Sequence, residues 1–175
     1  MPGAPFRYYG DEIGMRYLKE LKSVEGGFGR TGSRTPMQWD NALANAGFSG
    51  AEASKLYIQQ DGDENRPDAV SSMSNPDSLW HEIQKLIAIR QAHPALQSNA
   101  SIEFIQLVDG EYPLAYIRKA ETQKVLVLLN PSDCAISVSL DMQLGECIYA
   151  YQNKALEVNG ETMVIPAQSA FFYEV

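Results

Sequence analysis

The sequence is short of cysteine, histidine and positive charge. Its 175 residues include 2 cysteines and 2 histidines, and 22 acidic residues face 14 lysines and arginines, for a net charge of −8. An acidic surface repels phosphate backbones and anionic headgroups, so we expect neither nucleic acid nor a membrane as a partner. No apolar run is long enough for a membrane-spanning helix.

The two cysteines, Cys134 and Cys147, stand far apart and lack the spacing of a metal site. Both lie in strand-like runs, which predicts buried free thiols. Nothing in the sequence indicates the oxidising compartment that a disulfide requires, so the cytoplasm is the favoured location. The opening residues, MPGAPFRYYG, lack the basic and apolar segments of a signal peptide.

The first 75 residues contain one short apolar run, Ala4–Tyr9, followed by a long stretch rich in Gly, Ser, Asn and Asp. Such a stretch is rare inside a compact domain and usually carries function. We therefore expect it to form loops on top of a larger structure.

Residues 75–96 predict a helix. Asn75 can cap it, Pro76 suits its first position and Pro94 ends it. Its apolar residues recur at helical spacing, which predicts one face packed on a core. The residues expected to pack on the sandwich that follows are Leu79, Ile83, Leu86 and Ile87.

From Ser101 onward the period of the apolar residues changes to two. Turn signals such as Asp109-Gly110, Asn130-Pro131 and Asn159-Gly160 separate the runs. Strands without intervening helices predict a mainly β fold, an antiparallel Greek-key β-sandwich over 101–175. The predicted strands are Ile102–Val108, Leu114–Lys119, Lys124–Asn130, Ala135–Leu140, Glu146–Tyr151, Glu161–Ile165 and Ala170–Val175.

Catalytic groups are scarce in this sequence. Cleavage of a glycosidic bond takes two carboxyl groups that face each other across the sugar. Asp11 and Glu12 are adjacent residues that leave a strand on opposite sides, so they cannot flank one bond. His81 and His93 suit solvated helix positions better than a metal or triad role, and GGFG lacks the GK[ST] of a P-loop. We predict no metal and no cofactor.

Three side chains of the long loop could contact a ligand. Arg30 and Arg34 can offer forked donors to a carboxylate or to sugar hydroxyls, or they can form surface salt bridges within the loop. Trp39 can stack on a sugar or anchor the loop.

Two stretches of the chain resemble the α-amylase family of (β/α)8 enzymes. PGAPFRYYGDEIGM, at Pro2–Met15, resembles the eighth barrel strand and the turn after it. SRTPMQWD and AGFS, at Ser33–Asp40 and Ala46–Ser49, are similar to the following loop in one branch of the family. That branch includes oligo-1,6-glucosidases, α-glucosidases and trehalose synthase-type enzymes. KLIAIRQAHPAL resembles the last barrel helix, and the strands after it resemble the family's C-terminal sandwich.

This resemblance implies a retaining enzyme acting on α-linked glucosides, of which residues 1–96 are the last part of the catalytic barrel. The family's three catalytic carboxylates stand on earlier strands, so the resemblance implies no catalytic residue here and an inactive isolated chain. It implies that Arg34 hydrogen-bonds the non-reducing glucose, and that Gly10, Asp11 and Glu12 shape the pocket wall.

The resemblance makes the remainder of the barrel the partner of this chain. Arg7 departs from the family pattern, because an apolar residue is usual there and a buried arginine needs an anionic partner. The unpaired run Ala4–Tyr9 would pack on the helix, on the sandwich or on another copy of the chain.

Besides supporting the barrel, the sandwich could itself bind carbohydrate. Tyr149 and Tyr151, which share a face of one strand, would then form the platform, although they could equally line the core.

Overall fold

The computed structural model describes residues 2–106 and 111–175. The chain divides into two compact units, one made of Met1–Pro5 with Ile87–Val175 and the other of Phe6–Leu86. No helix in the described part of the chain is long and apolar enough to cross a membrane.

The larger unit is a β structure whose strands pair only in antiparallel fashion within the described residues. One sheet has five strands in the order β1-β2-β3-β8-β5, and the other has three in the order β4-β7-β6. The strands are β1 (Ser101–Gln106), β2 (Leu114–Lys119), β3 (Lys124–Asn130), β4 (Ile136–Ser139), β5 (Cys147–Ala150), β6 (Glu157–Asn159), β7 (Thr162–Ile165) and β8 (Ser169–Glu174).

Strand β3 lies at the centre of the five-stranded sheet and is buried on both faces. On one face Leu126 and Leu128 pack with Met163 and Ile165 of the three-stranded sheet. On the other face Val125 and Val127 join a second cluster that includes Ala95 and Leu96, just after the last helix. Burial on both faces explains why β3 is a continuous apolar run instead of an alternating one.

Each of the seven predicted strands overlaps an observed one, and the predicted bounds of β2 and β3 are those of the structure. The end of the predicted strand Ile102–Val108 and the turn at Asp109-Gly110 lie outside the described residues. Strand β6 was not predicted. Its three residues are all exposed, so no alternation of apolar and polar residues indicates it.

The last helix, α2, spans Leu79–Ala92 and begins later than predicted. Asn75 does not cap it, because Asn75 ends a separate short helix, α1 (Ala69–Ser74), and its side chain accepts from the N–H of Asp77. Ser78 immediately precedes α2 instead, and its carbonyl accepts the N–H of Glu82 at 3.1 Å.

The predicted packing face of α2 is partly wrong. Ile83 is buried, but Leu79 and Ile87 are 48% and 46% exposed. Trp80 packs with Ile13, Met37 and Ala69 in the smaller unit, and Ile89 packs against the second cluster of the β unit. The helix therefore contributes different residues to the two units.

The smaller unit, Phe6–Leu86, consists mostly of loops with short 3₁₀ turns and α1. Ala4–Tyr9 is not a strand, since no neighbouring strand in the described residues hydrogen-bonds to it, and Phe6 is fully exposed. Ala4–Tyr9 thus does not pack as a strand on the helix or the sandwich, although Tyr9 makes contacts described below. Its packing on another copy of the chain stays a prediction. Arg7 is also exposed in this chain, and its anionic partner within a complete barrel stays a prediction.

The two thiols are free but exposed, so their predicted burial is wrong. Cys134 lies in the connection between β3 and β4, and Cys147 lies in β5, at the edge of its sheet. An edge strand has a hydrogen-bonded neighbour on one side only, which leaves its other side open to solvent.

Candidate functional site

A tight turn at Gly10–Gly14 presents the two acidic residues singled out in the sequence. Gly10 and Gly14 flank a 3₁₀ turn over Asp11–Ile13. Their φ angles of 88° and 74° lie in the left-handed region, which is unfavourable for residues that carry a side chain. Asp11 Oδ2 accepts the N–H of Tyr8 at 2.9 Å, and Glu12 Oε2 accepts the N–H of Gly10 at 3.0 Å. Both carboxylates therefore stabilise the backbone of their own turn.

Next to this turn lies a cavity of about 270 Å³. Tyr9 connects the turn to the loop that follows, because its hydroxyl donates to the carbonyl of Thr35 at 2.9 Å. The rings of Tyr8 and Tyr9 are in contact, with centroids 4.5 Å apart. The cavity is lined by Tyr8, Tyr9, Asp11, Met15, Arg16, Tyr17, Ser33 and Thr35.

The TPMQ segment of the loop, residues 35–38, is buried. Thr35, Met37 and Gln38 are 2%, 7% and 1% exposed, whereas Arg34, just before them, is exposed. Burial raises the pKa of Tyr9, and the nearby positive charge of Arg34 opposes that rise. The structure thus brings Arg34 close to Tyr9, on the loop that borders the cavity.

The other two loop candidates lie elsewhere. The Arg30 guanidinium stacks over the Phe28 ring, with its Cζ atom 5.1 Å from the ring centroid, which is a cation–π contact. The sequence had suggested either a ligand contact or a salt bridge for this arginine. Trp39 is half exposed, and its backbone N–H donates to the carbonyl of Ala46. Neither side chain lines the cavity.

Arg16 lines the cavity and was missed in the sequence. Its Nε and Nη2 both donate to Asp61 Oδ2, at 3.0 and 2.6 Å, and its Nη1 donates to Asp63 Oδ2 at 2.6 Å. Hydrogen bonding to Asp63 and Asp61 raises the pKa of Arg16, and the same guanidinium lowers the pKa of Asp63. The partners are 45 and 47 positions away, so no local pattern indicates this contact.

The two histidines make hydrogen bonds and do not cluster with other potential ligands. His81 Nε2 is 2.9 Å from the carbonyl of Met73, and His93 Nδ1 is 2.8 Å from Gln123 Nε2. Within residues 2–106 and 111–175, no group of three or more His, Cys, Asp or Glu side chains could hold a metal ion.

Tyr149 and Tyr151 do not form a paired platform. Tyr149 is 4% exposed and its ring packs on Phe172, with centroids 4.9 Å apart. Tyr151 instead lines a separate, largely apolar cavity of about 490 Å³ together with Tyr112.

Comparison with protein families and known structures identifies the class of this chain. The family model for the α-amylase catalytic domain matches residues 1–99. A trehalose synthase/amylase of Mycobacterium tuberculosis is 33% identical over 152 residues, which is 82% of this chain and 24% of the relative. A glucan 1,6-α-glucosidase of Streptococcus pneumoniae is 27% identical, and the match includes all of this chain and 36% of the glucosidase. The chain therefore belongs to the α-amylase family.

Solved structures show the same relationship. The trehalulose synthase MutB of Pseudomonas mesoacidophila superposes with a TM-score of 0.70 at 26% identity, over 83% of this chain and 26% of that one. A mutant of MutB superposes with a TM-score of 0.79 over 99% of this chain and 36% of the mutant's chain. Its sequence is 23% identical, so this likeness shows the fold alone. The chain spans about a quarter to a third of the length of these relatives.

Proposed function

We propose that this chain is the C-terminal portion of a retaining α-glucoside hydrolase or glucosyltransferase. The branch that includes oligo-1,6-glucosidases, α-glucosidases and trehalose synthase-type enzymes fits best, because the relatives bear such names and the RTPMQW loop is present. In this proposal residues 1–96 belong to the catalytic (β/α)8 barrel, and residues 101–175 form a Greek-key sandwich that supports it. The family match ends at residue 99, just before strand β1, which is consistent with this division.

The observation that carries the proposal is the cavity between the turn at Gly10–Gly14 and the loop at Ser33–Thr35. Two segments that resemble family motifs meet there, and the hydrogen bond that joins them links Tyr9 to Thr35, 26 positions further along the chain. In the complete enzyme Arg34 would donate hydrogen bonds to a glucose hydroxyl. Gly10, Asp11 and Glu12 would form the wall beside it.

The chain by itself would not cleave a glycoside. The reaction takes a carboxylic acid that protonates the leaving oxygen and a carboxylate on the opposite side of the ring. Asp11 and Glu12 are the carboxylates of the turn, and each accepts a backbone N–H of that same turn. Loss of essential catalytic groups commonly lowers kcat by a factor of about a million.

An activity assay tests this proposal. The isolated chain and the complete polypeptide would each be incubated with maltose, isomaltose and a nitrophenyl α-glucoside. We expect the complete polypeptide to release glucose or transfer it, and the isolated chain to match the buffer rate. Turnover by the isolated chain would contradict its assignment as a non-catalytic portion, and no turnover by the complete polypeptide would contradict the enzyme assignment.

A further inference from the structure

Arg16 has no role in the resemblance described above, yet its side chain forms part of the cavity wall beside Asp11. A guanidinium carries five N–H groups. Three of them are used, by Asp61 Oδ2 twice and by Asp63 Oδ2 once. One N–H on Nη1 and one on Nη2 therefore stay available to a ligand.

The partners of Arg16 are themselves held in place. Asp61 is 4% exposed, and its Oδ1 accepts the N–H of Asp63 at 3.0 Å. The Arg66 guanidinium donates from Nη1 to the carbonyl of Asp61 and from Nε to Asn41 Oδ1. Because this network forms within the folded chain, a ligand would meet a guanidinium that is already oriented, which reduces the entropy lost on binding.

The charges around the cavity select against an anionic ligand. Asp11 lines the cavity, and Asp61 and Asp63 lie behind Arg16, so three carboxylates stand against one guanidinium. Nearby Arg34 and Arg66 add two positive charges, and Glu12 adds a fourth carboxylate, so carboxylates outnumber guanidiniums by four to three. A phosphate would be repelled from such a surface, whereas a neutral polyol can both donate to a carboxylate and accept from a guanidinium.

The remaining wall suits a sugar ring. Tyr8, Tyr9 and Tyr17 line the same cavity, and aromatic rings are suited to pack on the apolar C–H face of a pyranose. Pockets of this kind combine aromatic walls with a few well-placed polar groups.

We propose that Arg16 binds the hydroxyl groups of a neutral, unphosphorylated glucosyl residue, and that Asp61 and Asp63 are positioning residues for its guanidinium. This inference rests on the proposed function, because it assigns the substrate class of the same site. It adds a substrate-binding residue and excludes sugar phosphates as substrates.

The test uses the complete polypeptide, with maltose as the probe in binding calorimetry and in kinetics. Arg16→Lys keeps the positive charge beside Asp61 but loses the planar fork. Since charged hydrogen bonds are lost, we expect Kd and KM for maltose to rise about tenfold or more, with kcat within about twofold. Lys55→Ala, which removes an exposed cation of the same unit, is the matched control and should leave both constants unchanged.

A second variant separates positioning from folding. Removal of the buried Asp61 carboxylate could unfold the unit, so Asp63→Asn is preferred, because that side chain is 40% exposed. We expect Asp63→Asn to raise KM without lowering kcat, and to add nothing further in the Arg16→Lys background, since both changes act through one guanidinium. A simple additive loss would contradict the positioning role.

The third arm compares maltose with its 6-phosphate. We expect the phosphate ester to bind at least about tenfold more weakly because of the surrounding carboxylates. Equal or tighter binding of the ester would overturn the inference, as would unchanged maltose binding by Arg16→Lys or no maltose binding by the unaltered protein. Arg16-dependent binding without any turnover would instead overturn the proposed enzyme activity and leave this inference standing.

Discussion

The carbonyl oxygen of Leu18 occupies the place that a Cβ atom of residue 32 would need, so Gly32 is required by the close approach of two backbone segments. The carbonyl of Gly32 in turn accepts the N–H of Leu18 at 3.1 Å. This contact joins the start of the long loop to the 3₁₀ turn that precedes Arg34.

Gly32→Ala should therefore displace this part of the loop. An overpacked site of this kind typically costs about 1–3 kcal/mol, measured as a lower free energy of unfolding in urea. Gly29→Ala is the matched control, since an added Cβ there meets no atom within 4 Å. Equal stability of the two variants would show that the backbone at Leu18 moves aside without cost.

Arg34→Ala tests the glucose contact in the complete polypeptide. Loss of a charged, desolvated hydrogen bond costs about 1.5–3 kcal/mol, which lowers kcat/KM on a small α-glucoside by about one to two decades. Arg30→Ala serves as the control, because the Arg30 guanidinium stacks on Phe28, whereas Arg34 lies close to Tyr9 of the cavity wall. An unchanged kcat/KM for Arg34→Ala would remove Arg34 from the site.

Arg118 should matter for stability and not for activity. It is 1% exposed and donates to the carbonyls of Gln97 and Ala100, in the connection between α2 and β1, and of Ser101, the first residue of β1. Burial lowers its pKa, because the charged form loses hydration. Arg118→Ala leaves these carbonyls without their donor and creates a cavity, so we expect a loss of about 2–4 kcal/mol in urea unfolding. A loss below about 0.5 kcal/mol would indicate that water replaces the side chain.

Tyr173 makes the β unit sensitive to alkali. Burial, with a hydrogen bond to Cys147, raises its pKa from 10.0 to about 12. The unfolded chain therefore loses this proton before the folded chain does, so the stabilising contribution is complete below pH 10 and is lost as the pH rises to about 12. Tyr173→Phe should reduce the decline of the urea midpoint across this window. Tyr57→Phe, at an exposed position, should decline as the unaltered protein does.

The strands of the β unit could be predicted well because their turns are marked in the sequence. Lys124–Asn130 ends at Asn-Pro, and the observed β3 ends there too. The order of the strands could not be predicted, because pairing of β8 with both β3 and β5 depends on contacts distant in sequence. For the same reason the edge position of Cys147, and hence its exposure, could not be foreseen.

The sequence pointed to some of the residues around the cavity and missed others. The family motifs drew attention to Asp11 and Arg34, whose roles stay predictions: Asp11 lines the cavity, whereas Arg34 lies close to Tyr9 without lining it. Arg16 was missed because its partners lie 45 and 47 positions away. Helix α1 was missed because it has only six residues, although Asp68, whose side chain accepts the N–H of Ser71, is the kind of N-cap that could have indicated it.

The double burial of β3 also affects the unfolded chain. Val125–Leu129 is an uninterrupted run of Val and Leu, and such runs can stack into intermolecular cross-β aggregates when they are exposed. Lys124 and Pro131 lie just outside the run, and a charge and a proline at such places oppose stacking. Replacement of either would leave the folded sheet little changed while making the newly synthesised chain more prone to form inclusion bodies.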